Sequence, residues 1–529
     1  MEESSCRGGG AAFGMSGGGR WVSMLGSMAL ELCGGSIYIT GIYSTDLKHR
    51  FFPGADSQLK IEQLVFACNL GNWLPAAGFF NDSRFGGGRN TAWVAAALTL
   101  LGYLGVFAWS AGLADFAYWQ VWVFWFLWGH GSGWFDNAAV STTAQNFPQQ
   151  RGRSLALVKT FYGLSGSILT QAYSLFFYNK TSEFLIFLGV ALSVLGALNA
   201  PLLRIVTRLH HGERDQPIQR LGRGLGVVLG MACLLLAGSV AKVIWGSSVA
   251  LNVVIAVGVL LCLGLVAWQL VAGASASEAS SPLAAVATPV SRAAHSAGAP
   301  DLSPREALRT PGFWLLFLVT FVGMGSGLVV LNHAGQMILA LGGNQSETSV
   351  LVSLISIANC FGRVTFGVVP DSFVGVLSRP WFLALNTVVM ACGQLLLSAG
   401  SMPLLFSGAM ISAFAYGGFW TLMPSLVIEL CGLAAFATLY NFMSLATSSA
   451  SLVFSTVLAS KLYDHEAALH PHPSASGSCF GPTCYRSTCL TMVVTLVVGF
   501  LSAAALACRM RRTGGSSSAE REIALDATC

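Results

Sequence analysis

Apolar runs of about 20 residues or more recur along the chain with short polar breaks between them, the length a helix needs to cross the hydrocarbon core of a bilayer. About 14 such runs are legible, at 21–44, 61–81, 92–111, 117–141, 154–177, 183–204, 224–245, 248–271, 313–338, 347–370, 380–400, 402–428, 434–461 and 487–508. They fall into two groups of six, with the pair at 224–245 and 248–271 between them. That pair reads either as two further spans or as one re-entrant unit, so 12 to 14 crossings are expected. The pattern predicts an all-α multi-pass membrane protein: a disordered tail over 1–20, a first bundle over 21–206, a basic loop with two additional helices over 207–271, a linker over 272–310, a second bundle over 311–508 and a tail over 509–529. The linker is rich in Ala, Ser and Pro and poor in large apolar side chains, a composition expected to stay flexible.

Composition agrees. Of 529 residues, 54% are hydrophobic and 10% charged, against about 25% charged in a soluble domain. Most Lys and Arg sit on one side of this topology, including Arg84, Arg89, Arg151, Arg153, Arg204, Arg208, Arg214, Arg220, Arg223, Arg509, Arg511 and Arg512. Positive loops stay in the cytosol, so both termini are expected there. The net charge of +5 follows from that asymmetry, and no nucleic-acid partner is expected. The first apolar run is too long for a cleaved signal and reads as a retained anchor. The expected partners are the bilayer and a small solute, and the chain is expected to act as a monomer without a cofactor.

One polar string closes the second run of each group. Gly78-Phe-Phe-Asn-Asp82-Ser-Arg84-Phe-Gly86-Gly-Gly-Arg89 is echoed by Gly362-Arg363-Val-Thr-Phe-Gly367-Val-Val-Pro-Asp371. The pair resembles the signature loop of the major facilitator superfamily, although Ser83 separates Asp82 from Arg84 and one residue is inserted before Gly86 in the first copy. Gly41-Ile-Tyr-Ser44, Asn146-Phe-Pro-Gln-Gln-Arg-Gly152, Leu157-Val-Lys159, Gly163-Leu-Ser-Gly166, Ile168-Leu-Thr-Gln171, Thr438-Leu-Tyr-Asn-Phe442, Leu462-Tyr-Asp464 and Cys484-Tyr-Arg486 are similar to the nodulin-like, nuclear-fusion-defective-type branch. The resemblance implies the facilitator fold, two pseudo-symmetric six-helix bundles around a central cavity with alternating access. It implies no substrate.

Glycine lets the loop helices approach closely, and Asp82 can face a positive helix end or a nearby arginine. We therefore expect Gly78, Asp82, Arg84 and Arg89, with Gly362, Arg363, Gly367 and Asp371, to form a cytosolic gate. The simpler alternative is that these charges only stabilise their loops.

An ionisable side chain at a helix centre costs about 2.5–3.5 kcal/mol on insertion scales, so it should face protein or water. Glu31, Asp136 and Lys159 are in that position. Lys159 suggests an anionic substrate, or else snorkels to the headgroups. Glu31 and Asp136 could carry a coupling proton, or else pack against Lys159 or an amide. The family resemblance implies amides near both acids, so proton coupling does not follow from it. His130 and His333 could titrate near neutrality, though hydrogen-bonded packing is the simpler reading. Asn69, Asn72, Gln171, Asn332, Gln336, Tyr416, Trp420 and Asn441 are candidate cavity polar groups and aromatic walls, or interhelical contacts. Gly323, Gly325 and Gly327 lie inside an apolar run with no strand before them, which favours helix packing over a nucleotide loop.

On the non-cytosolic side, Cys479 and Cys484 are placed to form a disulfide if that compartment is oxidising. Asn179-Lys-Thr181 and Asn344-Gln-Ser346 are glycosylation sequons. His465, His470 and His472 lie near Asp464 and Glu466, but a polar loop flanked by prolines describes them better than a metal site, and no metal is expected. With no nucleophile and base set and no phosphate loop, an enzyme is not expected. The sequence reads as a secondary transporter of a small solute, a monocarboxylate or other organic anion being the first candidate, by proton symport or uniport; the alternative is a receptor or scaffold that kept the fold without transport.

Overall fold

The computed structural model describes residues 19–52, 57–178, 180–206, 217–246, 248–277, 301–343, 345–373, 376–469 and 479–526. In the first half, α1 (Gly19–Gly34) turns through a 3-10 segment, Gly35–Ile39, into α2 (Thr40–Phe51). Next come α3 (Ser57–Asn72) and α4 (Ala76–Asn81), which form one broken span, then α5 (Gly88–Ser110), α6 (Tyr118–Asn146), α7 (Arg151–Phe176) and α8 (Thr181–Asn199). Two separate helices follow, α9 (Pro217–Trp245) and α10 (Val249–Ser277), and then the short α11 (Pro304–Ala307). The second half comprises α12 (Pro311–Ala340), α13 (Gln345–Ser372), α14 (Arg379–Ser398), α15 (Met402–Cys431), α16 (Phe436–Ala450), α17 (Ser460–Leu469) and α18 (Arg486–Asp526), with a π-helical stretch, Ser451–Ala459, joining α16 to α17.

Among the described residues, 11 helices are long and apolar enough to cross a membrane. The broken α3–α4 span, α6 and α7 fall outside that count. The last two are 29 and 26 residues long, about 40 Å at 1.5 Å per residue, but their inward faces are polar. The protein is an integral multi-pass membrane protein.

The halves meet through two equivalent seams: α7 lies along α13, and α4 packs on α16. In each, the second span of one half meets the fifth span of the other, as a pseudo-twofold relation requires. Glycine makes both seams close. A Cβ at Gly78 would collide with the Ala437 backbone, and one at Gly367 with Ala156. Gly323, Gly325 and Gly327 lie against Phe419, Phe454 and Tyr416, where close packing explains their small size.

The two additional helices are full-length, each of 29 residues; α9 packs on α7 and α13, and α10 on α7 and α1. One expectation needs correction. The linker is ordered at both ends. α10 runs on to Ser277, and residues 301–310 fold back on the second half, where Leu302 N–H donates to Cys431 O (2.9 Å) and Asp301 accepts from the amides of Leu433 and Ala434. Two satisfied loop amides and a Ser303–Glu306 capping box hold this segment despite its composition. Beyond Arg509, the tail continues α18 as helix to Asp526, through Gly514, Gly515 and three serines whose intrinsic propensity opposes it.

Candidate functional site

Four ionisable side chains lie buried in one layer where the halves meet: Glu31 on α1, Asp136 on α6, Lys159 on α7 and Arg363 on α13. Lys159 is two turns into α7, too deep and too enclosed to snorkel; its Nζ is ion-paired with Asp136 Oδ1. The other Asp136 oxygen accepts from Tyr440 OH at 2.7 Å, a contact across the seam. Rings of Trp420, Tyr440 and Tyr162 surround the ammonium, their centroids 4.9, 5.2 and 5.3 Å away, and cation–π attraction replaces part of its lost hydration.

Arg363 donates from Nε to Asn359 Oδ1 (2.7 Å) and from Nη1 to the Lys159 carbonyl (2.6 Å). Among the described residues Arg363 Nη2, Trp420 Nε1, Asn441 Oδ1 and the Glu31 carboxyl oxygens make no hydrogen bond of good geometry, with Tyr38 near Arg363 and Tyr416 near Trp420. Glu31 is within hydrogen-bonding reach of the Asp136 carboxyl and within Coulombic reach of Lys159 and Arg363. Asp136, Lys159, Arg363, Trp420 and Asn441 line a cavity with Asn72, Trp73, Tyr162 and Ser444. Its free space is that of about one water molecule, so the halves are closed around it.

The repeated string builds two equivalent contacts at the Arg-rich end of the bundle. α16 has no capping side chain of its own; Asp82, from the other half, accepts from its third amide, Thr438 N–H, at 2.7 Å. α7 likewise lacks a capping side chain, and Asp371 accepts from its third amide, Arg153 N–H, at 3.1 Å. Each acid satisfies an amide left open at a helix start and sits at the positive end of the dipole. Partial burial pushes the Asp82 carboxyl above its ordinary value, while hydrogen bonds from Thr438 and Ala437 pull it down. Asp371 also pairs with Arg379, which reaches Glu429 as well. The loop after Asp82 needs glycine, since a Cβ at Gly86 would meet Phe80 O and Gly87 has φ +87°.

Arg363 is therefore not part of this end contact, as its place in the string suggested. It lies nine residues before the end of α13 and belongs to the central layer. Arg84 and Arg89 are exposed, and Gly362 serves packing, with its Cα against the Phe414 backbone.

Several other candidates lie apart from the cavity. His130 Nδ1 pairs with Gly71 O (2.7 Å), and Trp134 Nε1–H donates to its Nε2 (2.9 Å). Gln171 accepts from Lys242 of α9 at 2.9 Å, so it faces the additional helices. His333 and Gln336 bond each other, and Tyr485 OH donates to Gln336, while Asn332 and His333 reach Ser455 in the π-helical stretch. This second polar cluster is internal to the second half. Tyr416 is buried beside Trp420, with centroids 6.2 Å apart. Cys479 and Cys484 are disulfide-bonded, with Cα atoms 5.8 Å apart. Asn179, Asn344, His470 and His472 lie outside the described residues.

Tyr162 and Tyr440 were not singled out from the sequence as site residues. Tyr162 is three residues after Lys159, on the same helix face, which is a usable signal. Tyr440 carries none beyond its neighbour Asn441.

A buried charge layer between two six-helix halves, closed at one end by acids that cap helices of the opposite half, defines a membrane transporter of facilitator architecture. Residues 20–268 match the nodulin-like family model, and residues 301–514 match the model of the NFD4 C-terminal domain; the chain belongs to the nodulin-like branch of the major facilitator superfamily. Protein NUCLEAR FUSION DEFECTIVE 4 of Arabidopsis thaliana is 23% identical over 537 residues, 93% of this chain and 89% of that one. Probable transporter MCH1 of Yarrowia lipolytica is 28% identical over 191 residues, but the match spans only 34% of this chain and 38% of that relative. Among solved structures, the proton:xylose symporter XylE of E. coli superposes with a TM-score of 0.55 at 13% identity, covering 90% of this chain and 94% of XylE. That likeness is one of fold.

Proposed function

We propose that this protein is a secondary carrier that moves a small organic anion, a monocarboxylate in the first instance, by alternating access and proton coupling. One observation carries the reading: two buried cations, Lys159 from one half and Arg363 from the other, line the cavity at the seam. The guanidinium of Arg363 and the ammonium of Lys159 favour an anionic ligand, and a carboxylate matches a guanidinium best. A neutral sugar would supply no counter-charge, and XylE is related in fold alone. The Asp82 and Asp371 contacts act as the cytosolic gate, with the Arg-rich end placed in the cytosol by the distribution of positive charge.

The test is uptake by proteoliposomes of labelled monocarboxylates, amino acids and sugars, with and without an inward proton gradient. Gradient-driven carboxylate uptake that Lys159→Gln abolishes is the expected result. Uptake of sugars alone would refute the anion reading, and no uptake by folded protein would favour a scaffold.

A further inference from the structure

The lining of the central cavity holds acceptors as well as cations. Besides Lys159 on α7 and Arg363 on α13 it includes Asn441 and Ser444, three residues apart on one face of α16. Asn441 is buried, and its Oδ1 makes no hydrogen bond of good geometry with a described residue. Ser444 Oγ donates to Tyr440 O (3.1 Å) and keeps its own lone pairs. Side-chain amides orient in the local field, and two cations in the lining draw the Asn441 oxygen, rather than its NH2, toward the cavity. We infer that the substrate is a small hydroxy-monocarboxylate, its carboxylate facing Arg363 and Lys159 and its hydroxyl donating to Asn441 Oδ1. This rests on the anion reading above.

The other groups a small carboxylate could carry fit this acceptor less well. A methyl group leaves the Asn441 oxygen desolvated and unpaired, which is costly for a buried acceptor. A keto oxygen sets one acceptor against another. An ammonium adds a third cation beside Lys159 and Arg363, while both oxygens of Asp136 are already engaged by Lys159 and Tyr440 and Glu31 does not line the cavity. A hydroxyl supplies one hydrogen bond and no charge.

The rest of the lining suits a short carbon chain between those two ends. Trp73, Trp420 and Tyr162 supply aromatic walls. Asn441 also lies one turn beyond Thr438, the residue whose amide Asp82 holds, so a ligand bonded to it bears on α16 beside the gate contact.

The experiment measures dissociation constants of the purified full-length protein at neutral pH for lactate and propionate, which share a carbon chain and differ by the hydroxyl. Glycolate and acetate form a second pair, and alanine tests the ammonium. One net hydrogen bond corresponds to about tenfold in affinity, so lactate should bind about tenfold tighter than propionate, and glycolate than acetate. Alanine should bind more weakly than lactate. Asn441→Ala should bring both ratios to about one; a merely structural asparagine would weaken both members of each pair alike and leave the ratios in place. If that variant does not fold, Asn441→Leu, similar in size but without an acceptor, is read in the same way, and if neither folds the ratios of the unmodified protein decide. Ratios near one in the unmodified protein, alanine bound as tightly as lactate, or ratios unchanged in the variant overturn this inference and leave the anion reading standing. Folded protein that binds none of the four carboxylates overturns both.

Discussion

Replacing Asp82 by alanine removes the side chain that, among the described residues, caps the start of α16, and its effect can be sized from the contact. The carboxylate accepts from Thr438 N–H at 2.7 Å. A hydrogen bond to a charged group contributes about 1.5–3 kcal/mol, and a charge at a helix N-terminus about 0.3–1 kcal/mol more. Asp82 borders an open cavity of about 420 Å³ shared with Ser141, Gln145 and Asp301, so water replaces part of what is lost and the lower end applies. A total of about 2 kcal/mol corresponds to a roughly 30-fold rise in the open-to-closed ratio at this end. Hydrogen exchange of the purified protein, followed by mass spectrometry on a peptide spanning 434–443, reads that ratio directly when opening is a pre-equilibrium. The amides of α16's first turns should exchange about tenfold to 30-fold faster, while those of α14 stay unchanged. A change below about threefold, or an equal rise in both helices, would refute the capping argument.

Three further outcomes are expected. Lys159→Gln leaves Asp136 buried without its cation and should destabilise by about 3–5 kcal/mol; adding Asp136→Asn should recover much of the thermal stability in detergent but not transport. Gly78→Ala puts a methyl group into the Ala437 backbone, so it should hold the gated end apart and speed α16 exchange with little loss of global stability. Cys479→Ser opens the short loop to Cys484 and should cost about 2 kcal/mol by the loop-entropy relation, read as a lower unfolding temperature that reducing agent reproduces in the unmodified protein and does not lower further in the variant.

Much of the architecture was legible because lipid imposes it. A backbone in hydrocarbon must satisfy its own hydrogen bonds, so long apolar runs become helices wherever they end up packing. Duplication was legible in the two Gly and Asp strings, and the buried position of Glu31, Asp136 and Lys159 followed from their depth in those runs. The cross-half capping geometry was less so, since nothing local says that Asp82 meets an amide 356 residues away.

Helical periodicity names a face but not the helix it will meet. Asp136 and Lys159 are 23 residues apart, on helices that only the bundle sets side by side, and Tyr440 reaches Asp136 from 304 residues away. Arg363 left its string for the Lys159 carbonyl because α13 runs antiparallel to α7 along a glycine-lined seam, and its depth rather than its motif chose its partner. Gln171 was drawn to Lys242 by helices that stand outside the twofold pattern. The sequence by itself determined the spans, the repeat and the buried charges, all set by chemistry local to each segment. The tertiary structure decided which charges share a layer and which are left without partners, since those pairings depend on distances between helices that no single helix contains.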